Sequence, residues 1–367
     1  MKFSCKRIDL LNAINITDRA VATKSTMYVL EGIYIEVKND EARFIGNNLE
    51  LGIDYIIPAT VSQEGVTVVK ASLFSDAVRK LPDNQEAVNI EVDEKGIIIM
   101  TCGFAKFDFA TFKSDEYPRL PEVDNEIGLT VKESELKAML RQTVYAVAVN
   151  EAKPVLMGIY FEIKEGILSV VGCDGYRLAI KRTPIESEEL KFIVPGKTAK
   201  ELLSILDEGD YEVKFIISKK YLKLQLKNCI LITRLIDGEY MNYSLILKNE
   251  HSLTVKAETK KLLDSIDRAS LIISESMKNY VILKLEDDTI FVNCESVIGK
   301  VKDKISVEME GEPVEIAFNP KYLMDALKNI EGEKISVKFS TPSNPAIISP
   351  LDKDDFICVV TPVRMSS

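Results

Sequence analysis

Apolar positions recur along the chain at two periods, and the alternation of those periods comes round three times. Leu10, Ala13, Ile14 and Thr17 fall at i, i+3, i+4 and i+7, the spacing of one helical face. The pattern returns at Leu136, Met139, Leu140 and Thr143, and again at Leu262, Ser265, Ile266 and Ala269, each step being 126 residues. A second helical face follows in each copy: Phe74, Ala77, Val78 and Leu81; Ala199, Leu202, Leu203 and Leu206; Leu323, Ala326, Leu327 and Ile330. Around these helices lie short runs rich in Val, Ile, Tyr and Phe, such as Glu91–Met100, Phe104–Phe112, Tyr211–Ser218, Tyr221–Lys227 and Ile335–Phe339. Gly, Asn, Asp or Lys-Lys turns separate them, which predicts antiparallel strands and hairpins.

The residues repeat as well as the periods. Val29-Leu30-Glu31-Gly32-Ile33-Tyr34-Ile35-Glu36-Val37-Lys38 matches Val155-Leu156-Met157-Gly158-Ile159-Tyr160-Phe161-Glu162-Ile163-Lys164, and Tyr280–Glu286 is a looser third copy. Each copy reads helix, about three strands, helix, three or four strands, and so looks duplicated within itself. The expected fold is α+β: three similar domains with helices on one face of antiparallel sheets. The Pro/acid stretch Pro118–Glu126 and the polar stretch Lys248–Ser252 suggest domains at 1–122, 123–249 and 250–367.

At 46% hydrophobic and 28% charged residues, the composition is that of a folded chain. No run approaches 18 apolar residues, so no bilayer span is expected, and Met1–Asp9 has no apolar segment after its basic residues. The six cysteines never form Cys-x-x-Cys, which suits a reduced, cytoplasmic chain better than a disulfide framework or a zinc site.

Charge changes the picture. The chain carries a net −10, yet windows 6–24, 70–80, 132–148, 196–206, 256–268 and 320–328 around the helices together carry +8, leaving −18 elsewhere. Lys137 and Arg141 are i, i+4 neighbours away from the apolar face, Lys197 and Lys200 share a face, and Arg79 and Lys80 end a helix. A weakly basic helical lining in an acidic body suits phosphate contacts that do not read bases. Such contacts are weak at physiological salt, so retention on nucleic acid calls for another device, such as closure around the strand.

Catalytic sets are missing from the pattern. The one histidine, His251, lies in a polar linker and is expected at the surface; it cannot supply a histidine metal cluster or a Ser-His triad. Gly196-Lys197-Thr198 resembles the end of a phosphate-binding loop, but Lys191 stands where that loop needs glycine. Asp287-Asp288 and Asp354-Asp355 read as turn residues, no calcium-loop spacing occurs, and no cofactor is implied. An enzyme working through carboxylates alone is the weakest reading, and a peptide-binding adaptor without nucleic-acid function is the alternative to a protein that closes around a strand.

Over its whole length the chain resembles the bacterial DNA sliding clamp family, the beta subunit of DNA polymerase III. The resemblance is carried by Met1-Lys2-Phe3 with its following helix, Asp174-Gly175-Tyr176-Arg177-Leu178, Ile193-Val194-Pro195, Asp237-Gly238-Glu239-Tyr240, Phe318-Asn319 and Thr361-Pro362-Val363-Arg364-Met365, in that order. It implies a DNA clamp fold, closing as a six-domain ring in a head-to-tail homodimer, that holds double-stranded DNA without sequence preference and confers processivity on the replicative polymerase. By the same resemblance it is not an enzyme. Polymerase, clamp loader and repair proteins would dock through short linear motifs in a pocket between domains two and three.

Carried over by position, that pocket would comprise Leu156, Cys173, Gly175, Tyr176, Arg177, Leu178, Met241, Leu245, Ile246, Asn319, Tyr322, Val359, Thr361, Pro362, Val363, Arg364 and Met365. The duplex-facing side would use Lys24, Arg79, Lys80, Lys137, Arg141, Lys197 and Lys200. The seam would set Lys106, Phe107 and Phe109 against Leu271 and Ile272. The chain departs from the family pattern at several places. Met241 stands where proline is frequent and Leu245 where a basic residue is common, while Ser72-Leu73 replace basic residues of some members. Ser366-Ser367 extend the tail, and an acidic run that some members place near the seam is missing.

Overall fold

A computed structural model of the chain describes residues 1–83, 87–123, 127–150 (Ile127 by its backbone), 153–248, 250–273 and 280–364. Its α-helices are α1 (Arg7–Thr17), α2 (Ala71–Arg79), α3 (Glu133–Thr143), α4 (Gly196–Ile205), α5 (Ser244–Leu247), α6 (Thr259–Ser270) and α7 (Pro320–Lys328). The apolar faces read from the sequence are the faces that pack. Leu10, Ala13, Ile14 and Thr17 of α1 are buried, as are Leu136, Met139, Leu140 and Thr143 of α3 and Leu262, Ser265, Ile266 and Ala269 of α6.

The second helix of each copy stops one or two residues earlier than its periodicity predicts. Leu81, Leu206 and Ile330 are buried but lie beyond the ends of α2, α4 and α7. For α2 the cause is local: Leu81 precedes Pro82, whose ring disfavours helical backbone in the residue before it. The run Glu91–Met100 is not one strand. It straddles a hairpin between Ala87–Val92 and Ile97–Cys102, turned at Gly96 with φ +75°.

By contact, the chain divides into two compact units. One comprises Met1–Glu135 with Ser204–Leu235, the other Leu136–Leu203 with Ile236–Ser367. The first unit holds a 13-stranded sheet. In it, strand Leu51–Pro58 of the first repeat pairs antiparallel with Cys229–Arg234, the last strand of the second repeat. The second unit holds a nine-stranded sheet and a separate four-stranded one. In the larger, strand Arg177–Pro184 of the second repeat pairs antiparallel with Phe356–Val360, the last strand of the third. The four-stranded sheet ends on Gly299–Ser306, which among the described residues pairs only with Thr289–Ser296 and leaves its other edge open.

Packing between helix and sheet is tight enough to require particular residues. A Cβ on Gly46 would lie 2.0 Å from the Thr17 carbonyl oxygen, and one on Gly172 would lie 2.2 Å from that of Thr143. Both threonines donate their hydroxyls to the carbonyl four residues back, to Ala13 and Met139, at 2.7 Å. The same pair of contacts is thus built twice, one repeat apart.

Candidate peptide cleft and basic helices

A cleft of about 290 Å³ opens in the second unit, lined by Cys173, Gly175, Tyr176, Arg177, Leu178, Met241, Leu245, Ile246, Pro345, Val359 and Thr361. Its floor is the apolar cluster of Leu156, Val171, Leu178, Ile193, Ile347 and Val359 with Tyr160, Tyr240 and Tyr243. The Tyr160 and Tyr240 rings stack at 4.6 Å. Tyr243 and Tyr160 donate their hydroxyls to Glu162 at 2.5 and 3.2 Å, and burial with the Glu162 bond pushes the Tyr243 hydroxyl up to about 12.

The rim is a tight loop. Asp174 accepts the backbone N–H of Tyr176 and of Arg177, each at 2.9 Å, while Gly175 takes φ +86°, a conformation side chains resist. Arg177 is then fixed from several sides. Its guanidinium donates to Asp174 at 2.9 Å and to Asp325 of α7 at 2.5 Å, and lies 4.7 Å from the Tyr322 ring centre and 5.4 Å from that of Tyr145. Burial works against its charge, but the two carboxylates outweigh burial and hold its pKa above the ordinary arginine value. Beneath it Tyr145 makes a 3.0 Å hydrogen bond with the Cys358 thiol. The chain end is tied beside this rim: Thr361 donates its N–H to the Tyr176 carbonyl at 2.9 Å, and Val363 donates to Ala317 at 2.8 Å.

The residues expected in this pocket separate into groups. Cys173, Gly175, Tyr176, Arg177, Leu178, Met241, Leu245, Ile246, Val359 and Thr361 line the cleft. Leu156 lies in the floor, Tyr322 stacks on Tyr176 at 6.2 Å, and Asn319 caps α7 by accepting the Lys321 N–H. Pro362, Val363 and Arg364 follow Thr361 without lining the cleft, and Met365 lies outside the described residues. Sequence reasoning missed Pro345, which reaches the cleft from a loop of the third repeat, and the two carboxylates that hold Arg177. Asp174 opens the Asp174–Leu178 motif, and its spacing from Arg177 was the signal that could have found it.

The basic residues are spread over the helices. Lys24 is exposed after α1, Lys80 follows α2, Lys197 and Lys200 are exposed on α4, and Lys137 is half-buried on α3. Several cations already hold carboxylates. Arg79 pairs with Asp18 at 2.7 Å, Arg141 with Glu331, and Arg268 with Asp303 at 2.6 Å. The expected surface position of His251 needs correction. It is half-buried, its Nδ1 has no hydrogen-bond partner among the described residues, and burial with nearby Lys338 lowers its pKa.

Among the seam candidates, Lys106 is exposed, while Phe107 and Phe109 are half-buried and stacked at 6.2 Å. They lie on strand Ala105–Phe112, which pairs over residues 105–110 with Ile97–Cys102 and meets Gly65–Lys70 only at Thr111 and Phe112. Among the described residues, the other edge of 105–110 is therefore open. Leu271 is 78% exposed, and Ile272 packs on the third-repeat core. Among the described residues, no group of three or more His, Cys, Asp or Glu side chains is placed to hold a metal ion.

Repeated helix-and-sheet domains, joined edge to edge and carrying an apolar cleft, define a protein of the clamp-fold class. Family models for the N-terminal, central and C-terminal domains of the DNA polymerase III beta subunit match residues 1–121, 130–242 and 245–364. The beta sliding clamp of Bacillus subtilis is 32% identical over 99% of this chain and 100% of the relative, and that of Staphylococcus aureus is 30% identical over 99% of each. The crystal structure of the Bacillus subtilis DNA polymerase sliding clamp superposes with a TM-score of 0.95 at 31% identity, covering 100% of each chain. A putative DNA polymerase III beta subunit from Eubacterium rectale superposes with 0.94 at 32% identity, again over 100% of both. The chain belongs to the DNA polymerase III beta subunit family, the non-catalytic beta sliding clamps.

Proposed function

We propose that two copies of this chain close head to tail into a six-domain ring that encircles double-stranded DNA, slides on it, and tethers the replicative polymerase. One observation carries the ring: the rule by which repeats join leaves one strand over at each end. Within the chain, the hairpin strand starting at Leu51 or Arg177 pairs with the last strand of the following repeat. Gly299–Ser306, the corresponding strand of the third repeat, has no such partner among the described residues, and Ala105–Phe112, the last strand of the first, keeps an open edge. A second copy supplies what each lacks, through a heterologous contact that closes if the rotation is right.

The register inside the chain supports particular seam pairs. Leu51 lies opposite Thr233 and Arg177 opposite Val360. Matching hairpin ends then sets Gly299 opposite Phe109, Val301 opposite Phe107 and Lys300 opposite Asp108. Lys106, Leu271 and Ile272 would flank this ladder. Domains would fall at 1–122, 123–249 and 250–367.

On this reading Lys24, Arg79, Lys80, Lys137, Arg141, Lys197 and Lys200 meet phosphates, and the acidic remainder faces away. The cleft around Arg177 takes short linear segments of polymerase, clamp-loader and repair proteins, anchored by Leu or Phe side chains. The chain works in the cytoplasm.

Retention on DNA tests the ring. After loading, the protein should stay on nicked circular DNA and run off a linear form of the same molecule; equal loss from both sinks the proposal. Lys197→Glu with Lys200→Glu should lower loading and flatten its salt dependence without unfolding the chain. Arg177→Ala, or removal of residues 363–367, should weaken peptide binding about tenfold and leave dimerisation intact.

A further inference from the structure

The cleft is lined almost wholly by apolar or uncharged groups, and Arg177 is the one charged side chain among the described residues of its lining. That charge is already paired. Its guanidinium donates to Asp174 and Asp325, whose side chains are themselves largely buried, so the cluster of three carries a net −1. Backbone N–H groups of the rim are bonded as well: Gly175 donates to the Cys173 sulfur at 3.3 Å, and Tyr176 and Arg177 donate to Asp174. Lys181, Lys248 and Arg364, the cations nearest in sequence, do not line the cleft. At the mouth stand two large apolar groups, Leu245 and the Tyr176 ring, each 61% exposed.

An acidic side chain entering here meets, among the described residues of the lining, no cation without carboxylate partners; the N–H groups of Gly175, Tyr176 and Arg177 are already bonded, and it approaches a cluster of its own sign. We propose that this cleft selects segments whose residues beside the apolar anchors are uncharged or basic, and that Leu245 sets this preference by placing a hydrocarbon where a cation would otherwise greet an acid. The inference rests on the reading of the cleft as a peptide site and names the chemistry of its occupant. Leu245 acts as a specificity residue, because its exposure leaves the fold indifferent to what stands there.

Three capped heptapeptides test it, each with two leucines and one phenylalanine, differing at one flanking position as serine, aspartate or lysine. Fluorescence anisotropy should show the aspartate peptide binding about two- to fivefold more weakly than the serine peptide, and the lysine peptide at least as tightly, the scale of one exposed charge contact. Leu245→Lys should raise the affinity for the aspartate peptide relative to the serine peptide by a similar factor. Aspartate binding the unaltered protein as tightly as serine overturns the inference, and an aspartate affinity untouched by Leu245→Lys removes Leu245 from it. Failure of all three peptides to bind overturns the peptide-site reading and this inference together, while retention on circular DNA, read separately, stands or falls by itself.

Discussion

Some residues carried their role on the surface of the sequence and others did not. Gly32 and Gly158 were visible because their neighbours repeat with them. Gly46 and Gly172 were not, since their partners Thr17 and Thr143 lie 29 residues earlier and only the fold brings them together. Equivalent hairpins end at Asn48–Leu51, Asp174–Arg177 and Ser296–Gly299, which places Cys294 of the third repeat where these glycines stand, opposite Ala269 rather than a threonine. Gly172→Ala should therefore cost about 1–3 kcal/mol in urea unfolding, because backbone rather than a flexible side-chain tip must give way. The thiols make a second prediction at this scale. All six are free and buried, and burial pushes Cys358 and, with nearby carboxylates, Cys5 and Cys229 from the usual 9.0 up to about 12. The folded chain then holds these protons more tightly than the unfolded one. Their contribution to stability is complete below pH 9 and is lost as the pH rises from about 9 towards 12. Denaturation midpoints should fall across that window, and a thiol reagent at pH 8 should label Cys5, Cys229 and Cys358 only after unfolding.

At the scale of the element, helix faces were legible because a helix turns every third or fourth side chain onto one stripe, and a stripe that is apolar throughout must be buried. Helix ends were less so: Leu81, Leu206 and Ile330 continue the stripe in space after the helix itself has stopped. Strand existence was legible, but strand edges were not. Whether a strand edge is covered depends on a partner far away in sequence, and Ala105–Phe112 and Cys229–Arg234 read alike although, among the described residues, the stretch 105–110 is paired on one side only and the second strand on both. The cleft shows the same division. The loop at Asp174–Leu178 was readable as a motif, whereas Pro345 arrives from a different repeat and left no local trace. Leu271 is exposed just past the end of α6, so Leu271→Asp should leave the melting temperature within a few degrees while shifting sedimentation from dimer toward monomer. A dimer of unchanged affinity would take Leu271 out of the seam.

For the whole molecule, the threefold repeat was the strongest signal in the sequence, and it foretold three like domains. It did not foretell that the strands would run on from one repeat into the next. Boundaries drawn from polar linkers follow the order of the chain, whereas sheet pairing follows hydrogen bonds, so the two compact units each gather strands from two repeats. The pairing of arginines with carboxylates also bears on this scale. On the proposed reading, Arg79 and Arg141 exchange Asp18 and Glu331 for phosphate, an exchange that releases few ions into solution. The logarithm of DNA affinity should therefore fall with the logarithm of salt less steeply than about 0.9 per basic residue in contact, and a slope at that full value would place these arginines in free solution before binding.

The strand left over at Gly299–Ser306 has a consequence of its own. Nothing in an open edge counts to two. A chain that ends in one socket and begins in one plug is equally ready to follow a third copy or a thousandth, and only the turn accumulated along each subunit decides when the series meets its own beginning. A mutation that altered that turn, while touching neither edge, would change a closed pair into a larger hoop or an endless thread built from the same joints.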